Sequence, residues 1–145
     1  MATVRDLLAR KGHEVVSLPP SATVLEAAQL MNQHGIGAVV VRDEHGVRGI
    51  FTERDVLRRV VAAQRSVRDV TIADVMTKEL VTCGPQTSVE ECAELMTGRR
   101  IRHLPVLDDE GALAGLVSIG DVVARQVAEQ RGLIEELNRY IYDVR

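Results

Sequence analysis

The chain contains an internal duplication, in which the first half aligns with the second when the sequence is shifted by 65 or 66 positions. Pro20 falls on Pro85 at a shift of 65, and Asp55 falls on Asp121 at a shift of 66, after one extra residue in the second copy. The other matched positions are 15–17 with 80–82, 30–31 with 95–96, 36 with 101, 43 with 108, 46 with 111, and 49–52 with 115–118. A duplicated chain of this kind folds as two similar units that bury surface against each other.

Each copy has the hydrophobic pattern of a strand, a helix, two further strands and a second helix. The expected strands are at 15–18, 38–41 and 47–51 in the first copy and at 80–83, 104–107 and 113–117 in the second. The first helix of each copy begins after Thr23 or Ser88, each with a glutamate three residues later, and the second begins at Glu53 or Ile119. A sheet of three strands is too small to be stable alone, so the sequence predicts an α/β fold in which the two repeats pack together.

The predicted boundaries place the first repeat at 1–64, a polar linker at 65–72, the second repeat at 73–128 with a short helix at its start, and a C-terminal helical extension at 129–145. Apolar residues recur at helical spacing from Val123 to Ile141, with Gly132 as a candidate break. An exposed apolar stripe of this length is unfavourable on a monomer, so we expect a homodimer formed through the tail. The alternative is that the tail folds back over the segment around Leu7 and Leu8.

The charge and composition argue against several classes of partner. The formal net charge is -3 and the pI is about 5.8, so no overall positive field attracts nucleic acid. Aromatic residues make up 2% of the chain, which leaves no stacking platform for single-stranded nucleic acid. No apolar run approaches the roughly 20 residues of a membrane helix, and Arg5 and Asp6 interrupt any signal sequence. We expect a cytoplasmic protein that binds neither membranes nor nucleic acid.

Residue types that support catalysis or metal binding lack the required spacing. Cys83 and Cys92 are nine positions apart, without the pattern of a redox or zinc motif, and are interpreted as small buried hydrophobic residues. His13, His34 and His45 fall in different elements and are expected at the surface. No nucleophile-base arrangement or carboxylate pair of a hydrolase is present, so we expect no catalysis, no metal and no catalytic cofactor.

Two polar motifs, Thr52-x-x-Asp55 and Ser118-x-x-Asp121, lie at equivalent strand-to-helix junctions. In one interpretation the hydroxyl and the carboxylate cap the helix reciprocally. In the other, the carboxylate points outward and accepts hydrogen bonds from two ribose hydroxyls, as acidic residues do in other nucleotide sites. The first helix of each copy uses the longer glutamate that the reciprocal cap prefers, and we therefore interpret the two shorter aspartates as ligand groups.

The second copy also carries a basic run, Arg99, Arg100, Arg102 and His103. Phosphate binding needs cations or exposed amide protons, and this run supplies cations. Arg102 and His103 are adjacent on a strand, so only one of them faces a given side. The equivalent residues of the first copy are Gly37 and Ala38, which makes the two clefts chemically unequal. The alternative is a solvated basic edge strand that prevents aggregation.

Residues 49–55 read Gly-Ile-Phe-Thr-Glu-Arg-Asp and residues 115–121 read Gly-Leu-Val-Ser-Ile-Gly-Asp. Both resemble the Gly-apolar-x-Thr/Ser-x-x-Asp signature of CBS domains, and residues 101–106 resemble the strand that precedes it in that family. The resemblance covers roughly residues 5–128. It implies two CBS repeats packed about a pseudo-twofold axis, a Bateman module, which binds AMP, ADP, ATP, NAD-type or S-adenosyl ligands in its central cleft and dimerises into a flat disk.

The resemblance also implies roles for individual residues, because a site in this family joins the hydroxyl and aspartate of one repeat to the first strand of the other. The stronger predicted site consists of Ser118, Asp121, Arg102 and His103 with Ser17 and the backbone near Ala38. The second consists of Thr52 and Asp55 with Thr82 and the strand near Arg102, and Ile36, Arg100 and Pro105 complete the predicted set. The expected function is a non-catalytic sensor of an adenine nucleotide (AMP, ADP, ATP or NAD(H)) acting on an unidentified protein target. The alternative is a ligand-free dimerisation or docking scaffold.

Overall fold

The computed structural model describes the backbone of residues 2–143 and the side chains of residues 2–141. It contains two α/β repeats followed by a long helix, which confirms the predicted fold class. In chain order the elements are α1 (Val4–Lys11), β1 (Ser17–Leu18), α2 (Val24–His34), β2 (Ala38–Asp43), β3 (Gly46–Thr52), α3 (Glu53–Asp55), α4 (Ile72–Val75), α5 (Val89–Arg99), β4 (His103–Leu107), β5 (Leu113–Ser118) and α6 (Ile119–Asp143). A π-helical segment, Val56–Val61, continues α3.

The first repeat has a three-stranded sheet in the order β1-β2-β3. β1 runs parallel to β2, with Ser17 opposite Val40, and β2 runs antiparallel to β3, with Ala38 opposite Thr52. Residues 38–41 are all buried, which explains why this run is continuously apolar instead of alternating. The pairing places Thr52, and the start of α3 behind it, beside the first residue of β2.

The second repeat has a sheet of two strands, β4 and β5. The strand predicted at 80–83 is wrong in extent, because the segment is reduced to one parallel bridge between Cys83 and Val106. The next N–H group, of Gly84, donates to a threonine hydroxyl in a turn at 2.9 Å. Pro85 then follows and has no N–H, so the ladder cannot continue.

The short helix that precedes each repeat packs on the core of the other repeat. α1 buries Val4 and Leu8 in the core of the second repeat, and α4 buries Ile72 in the core of the first. Backbone hydrogen bonds hold both helices, from the Val4 N–H to the Thr87 carbonyl at 2.9 Å and from the Ile72 N–H to the Ala22 carbonyl at 2.8 Å. The boundaries predicted at 64 and 72 therefore follow the sequence repeats and do not coincide with the packing units.

The exchanged segments are α1 and the stretch from α4 to Thr77, each of which packs on the repeat that it does not directly precede in the sequence. The first glycine of each signature lets one exchanged segment lie against the last strand of the repeat. A Cβ atom on Gly49 would lie 2.7 Å from the carbonyl oxygen of Thr77 and 2.8 Å from the Met76 sulfur. Such distances are too short for a real side chain, so only glycine admits this approach. Leu8 approaches Gly115, the counterpart of Gly49, in the same way.

The last helix continues without interruption well beyond the second repeat. α6 has 25 residues, and Gly132 lies inside it without breaking it. Ile134 and Leu137 are 56% and 52% exposed, whereas Leu7 and Leu8 are buried by the second repeat. The alternative in which the tail folds back over these two leucines is therefore wrong. None of the helices in the described part of the chain is long and apolar enough to cross a membrane.

Candidate functional site

Both signature aspartates form a reciprocal cap with the hydroxyl residue three positions earlier. Asp55 Oδ2 accepts the Thr52 N–H at 3.0 Å, and the Asp55 N–H donates to Thr52 Oγ1 at 3.3 Å. Asp121 and Ser118 make the same pair of bonds at 2.8 and 3.2 Å. Each bond satisfies an amide that the start of a helix leaves without an intrahelical partner. The signature therefore fixes the junction between the last strand and the last helix of each repeat.

The argument that distinguished these aspartates from capping residues is wrong. Thr23 Oγ1 accepts the Glu26 N–H and Ser88 Oγ accepts the Glu91 N–H, each at 3.1 Å. Within residues 2–141 neither glutamate carboxylate returns to its cap amide, so these caps are only half formed. The aspartates close the box because their shorter side chains already reach the cap amide. A ligand must then use an oxygen that the cap leaves available.

Asp55 is enclosed by protein groups. Its Oδ2 serves the cap, and its Oδ1 accepts the Thr77 hydroxyl at 3.0 Å. Arg59 Nε lies 3.6 Å from the same Oδ1, and the Asp55 side chain is 7% exposed. Both carboxylate oxygens are therefore engaged in joining β3, α3 and the segment after α4.

Asp121 is more open than its counterpart. Lys11 Nζ donates to Oδ2 at 2.7 Å, and the Ser118 hydroxyl donates to the same oxygen at 3.1 Å. Oδ1 accepts no hydrogen bond from the side chains and backbone of residues 2–141, and the Asp121 side chain is 22% exposed. One oxygen of this carboxylate is thus available to a donor from outside the chain.

His103 lies where the two repeats meet. It begins β4 opposite Ser118 of β5. A Cβ atom on Gly37 would lie 3.6 Å from His103 Cε1 and 2.5 Å from Glu53 Oε1, so side chains of both repeats converge over this glycine. Burial lowers the pKa of His103; the carboxylate of Glu53 acts in the opposite direction, and the ammonium of Lys11 lowers the pKa further. The neutral imidazole offers one donor and one acceptor at the boundary between the repeats.

The basic run contributes to this boundary mainly through its backbone. Arg100 ends α5 in the left-handed conformation, with φ of 55°, and its carbonyl oxygen accepts Arg54 Nη1 at 2.6 Å. The Arg102 carbonyl accepts the Ile119 N–H at 2.8 Å. The Arg102 side chain is exposed and His103 is half-buried. Arg102 lies in a bend before β4 and not in the strand, so the alternation predicted for two strand neighbours does not hold for this pair.

Three other predicted residues lie within or beside the strands. Ala38 and Pro105 are buried in β2 and β4. The Pro105 carbonyl accepts the Cys83 N–H at 3.0 Å, so it belongs to the sheet. Thr82 is half-buried directly before that bridge. These residues offer a ligand mainly backbone and apolar surface.

Ser17 and Ile36 adjoin two open cavities on the first repeat. Ser17 Oγ accepts Arg42 Nε at 3.0 Å, and Arg42 lines a cavity of about 350 Å³ with Leu113 of the second repeat. The remaining residues around that cavity are His13, Glu14, Val15 and Val16. Ile36 lines a cavity of about 490 Å³ with Gly37, Glu53, Val56, Ala28, Met31, Asn32 and Gly35. Asp121 lines neither of these two cavities, so its surroundings are argued from hydrogen bonds and not from cavity shape.

Sequence reasoning missed Lys11 and Thr77, which reach Asp121 and Asp55 from the exchanged segments. A signal was present, because residues 3–7 and 71–75 share the pattern Thr-apolar-x-Asp-apolar at a shift of 68. This match lies outside the 65- and 66-residue registers and marks α1 and α4 as equivalent elements. It does not reveal on which repeat each of them packs.

The cysteines and the three other histidines lie as predicted. Cys83 and Cys92 are free and buried. The neighbouring Cys92 thiol, together with burial, raises the pKa of Cys83, and the neighbouring Cys83 thiol lowers the pKa of Cys92. His13, His34 and His45 are exposed. Among the residues that the structure describes, no three His, Cys, Asp or Glu side chains cluster as metal ligands would.

Two tandem α/β repeats, each closed by a capped hydroxyl-aspartate junction, define a pair of CBS domains, which is a regulatory type of module. The chain belongs to this family, because the CBS domain model matches residues 3–62 and 72–128. The resemblance identified from the signature is thereby confirmed.

Comparison with individual proteins agrees with this assignment. The chain is 40% identical over 148 residues to the mitochondrial CBS domain-containing protein CBSX3 of Arabidopsis thaliana, covering 96% of this chain and 71% of that protein. A putative signal-transduction protein with CBS domains from Burkholderia ambifaria MC40-6 superimposes with a TM-score of 0.84 at 40% identity, covering 89% and 96% of the two chains. The CBS domain pair of protein MJ0100, solved in complex with 5'-methylthioadenosine and S-adenosyl-L-methionine, superimposes with a TM-score of 0.76 at 26% identity, covering 90% and 98%.

Proposed function

We propose that the chain is a non-catalytic sensor that binds an adenine nucleotide in the cleft between its repeats, with the stronger site at Asp121. The observation that carries this proposal is the available Oδ1 of Asp121 beside the boundary of the two repeats. A carboxylate oxygen without an internal donor is a suitable acceptor for a ribose hydroxyl. Asp55, in the equivalent place, has both oxygens engaged.

The groups around Asp121 suit the rest of a nucleotide. Ser118 lies beside the ribose position, and the exposed guanidinium of Arg102 and the imidazole of His103 supply donors for phosphate. From the other repeat we assign Ser17 and the backbone near Ala38, and we assign Ile36, Arg100 and Pro105 to the walls of the site. The ligand then contacts both repeats, so its binding is coupled to their relative position.

A second site, formed by Thr52, Asp55 and Thr82, is proposed to be weaker. A ribose hydroxyl at Asp55 must compete with the Thr77 hydroxyl, which already donates to both carboxylate oxygens at 3.0 and 3.3 Å. The burial of Asp55 also restricts access. We therefore expect one nucleotide per chain at concentrations that saturate the stronger site.

The adenine assignment is supported by the related protein MJ0100, whose CBS pair was solved with two ligands that both contain adenosine. AMP, ADP, ATP and NAD(H) contain the same unit and are the ligands we propose for this chain. In this proposal the Oδ1 of Asp121 accepts a hydrogen bond from the ribose that these four ligands share.

Thermal-shift titration with AMP, ADP, ATP and NAD(H) tests the proposal. A nucleotide that binds the folded state alone stabilises it by about 2.7 kcal/mol at a hundred times its Kd. Asp121→Asn is expected to remove most of the shift, whereas Asp109→Asn, an exposed aspartate in the turn before β5, leaves it unchanged. If none of the four ligands shifts the melting temperature at millimolar concentration, the nucleotide proposal is overturned.

We also propose that the chain acts as a homodimer in the cytoplasm and passes its signal to a separate protein target. The exposed apolar residues Leu57 and Val61 of the π-helical segment correspond to Val123 and Val127 of α6 at a shift of 66. Equivalent apolar faces on both repeats are suited to a symmetric contact. The exposed stripe on the tail, Leu133, Ile134, Leu137 and Ile141, extends the same helix, and we propose that the dimer depends on this stripe.

A scaffold without a ligand is the second candidate function. It is favoured by the capping geometry, because both aspartates have a structural role that explains their presence in the signature. The two functions differ in the nucleotide titration, in which a scaffold shows no stabilisation by any of the four ligands.

A further inference from the structure

Lys11 and Thr77 occupy equivalent places against the two repeats. The Thr77 N–H donates to the Ile50 carbonyl at 2.8 Å, and its hydroxyl donates to the signature aspartate of the first repeat. Lys11 Nζ donates to the Leu116 carbonyl at 2.9 Å and to the signature aspartate of the second repeat. Ile50 and Leu116 correspond at a shift of 66. The same position is thus filled by a neutral hydroxyl residue in one repeat and by a cation in the other.

The two aspartates therefore have different charge environments. Asp55 accepts a neutral hydroxyl, and the cation beside it, Arg59, lies 3.6 Å away. The counterpart of Arg59 is Arg125, which pairs with Glu129 at 3.2 Å. In the second repeat the cation on the aspartate is Lys11, which comes from the exchanged helix α1.

One N–H group of the Lys11 ammonium has no acceptor among the described residues. The ammonium carries three N–H groups, and two of them are used by the Leu116 carbonyl and Asp121 within the described residues. The Lys11 side chain is 36% exposed, so the remaining donor is accessible to a ligand. It lies next to the available Oδ1 of Asp121. A donor and an acceptor are therefore presented together, which suits a sugar that carries both a free hydroxyl and a phosphate.

The charges around this position make Lys11 decisive for an anion. Lys11 and Arg102 are cations, and Glu53 and Asp121 are anions, that act on His103. Without Lys11, Asp121 loses the ammonium that donates to its Oδ2 at 2.7 Å. A phosphate bound beside Asp121 then loses a charge-assisted hydrogen bond and meets a carboxylate whose charge Lys11 no longer pairs.

We infer that Lys11 is a specificity-determining residue of the Asp121 site, where it binds the phosphate of the ligand and so separates AMP from the uncharged nucleoside adenosine. This inference rests on the proposed function. It also gives the N-terminal helix a direct contact with a ligand bound to the opposite repeat.

Calorimetric titration of the full chain with AMP and with adenosine tests the inference. Lys11→Met is expected to lower the ratio of AMP affinity to adenosine affinity about tenfold, and Lys11→Arg is expected to restore most of it. Lys78→Met is the matched control, because Lys78 is exposed and adjoins Thr77, the counterpart of Lys11. This control is expected to leave the ratio unchanged.

The outcomes separate this inference from the proposed function. An affinity ratio that Lys11→Met leaves unchanged, or wild-type protein that binds adenosine as tightly as AMP, overturns the role of Lys11 while nucleotide binding stands. Wild-type protein that binds neither ligand overturns the role of Lys11, and it overturns the proposed function as well if ADP, ATP and NAD(H) also fail to bind. Circular dichroism checks that each variant is folded before titration, and Lys11→Gln replaces Lys11→Met if the apolar side chain prevents folding.

Discussion

Leu8 of α1 lies against Gly115 of β5 so closely that a Cβ atom on the glycine would come within 2.7 Å of Leu8 Cδ2 and 2.9 Å of Cδ1. Leu8 is 1% exposed and belongs to the core of the second repeat, so its side chain has little space to move. The N-terminal helix is therefore fitted to the second repeat at a point where an added methyl group must displace the Leu8 side chain.

Gly115→Ala is expected to lower the free energy of unfolding by about 1–3 kcal/mol, because the new methyl group overpacks a filled core. Gly132→Ala is the control, since this glycine lies in α6 with open space around its Cβ position. Alanine there is expected to raise stability by up to about 1 kcal/mol through its higher helix propensity. Urea denaturation measures both, and a Gly115→Ala variant as stable as the wild type contradicts the close contact.

The two signature aspartates are expected to differ in their effect on stability. Asp55→Asn places an amide where the carboxylate accepts the Thr52 N–H and the Thr77 hydroxyl, at a cost of about 1.5–3 kcal/mol. Asp121→Asn is expected to cost less, because that carboxylate is more exposed and water replaces part of what is lost. Denaturation of the two variants without ligand makes the comparison. Equal losses would show that both carboxylates are equally enclosed.

Stability is expected to fall as the pH is lowered through the ordinary range of histidine. The pKa of His103 is lowered in the folded state by burial, so below about pH 6.5 the unfolded chain binds a proton that the folded chain resists. The stabilising contribution of neutral His103 is complete above that pH and decreases below it until the folded state is also protonated. Unfolding free energies at pH 7.5 and 5.5 measure the effect.

His103→Gln is expected to reduce this pH dependence, whereas His34→Gln, a change at an exposed position of α2, leaves it as in the wild type. If the two variants show the same loss of stability on acidification, His103 is not the group responsible. Carboxylates titrate between about pH 3 and 5, so the comparison is made above that range.

Truncation after Val127 is expected to abolish the dimer while both repeats stay folded. The removed residues carry the exposed stripe that includes Leu133 and Ile141, and among residues 2–141 the buried core of the second repeat contains none beyond Val122. Light scattering gives the mass, and circular dichroism checks the fold. A truncated chain that remains dimeric places the interface on the faces around Leu57 and Val123 instead.

The fold could be predicted largely because the duplication provides two independent copies of each pattern. Thr23 and Ser88 were recognised as equivalent helix starts, and both accept the expected amide at 3.1 Å. The strand at 80–83 was overestimated, since apolar residues indicate burial but not whether a ladder continues past a turn and a proline.

The candidate site was less predictable, because its features depend on contacts between distant segments. The position of Lys11 in the sequence assigns it to the first repeat, yet its ammonium donates a hydrogen bond to Asp121 of the second repeat. Hydrophobic spacing shows that α1 has a buried face without showing which core covers it. The length of an aspartate side chain likewise does not distinguish capping from ligand binding. The cap occupies one carboxylate oxygen, and the burial of the side chain determines whether the other oxygen is accessible to a ligand.

The exchange of α1 sets an order of events during protein synthesis. Lys11 and Asp121 are 110 positions apart, so at typical translation rates of 5–20 residues per second roughly 5–20 s separate their appearance from the ribosome. Until the second repeat has been synthesised, Leu7 and Leu8 lack the core that buries them, and the nascent chain leaves them exposed. The second repeat is completed by a segment synthesised earlier, so a polypeptide released before the strands of that repeat leaves α1 without the core on which it packs.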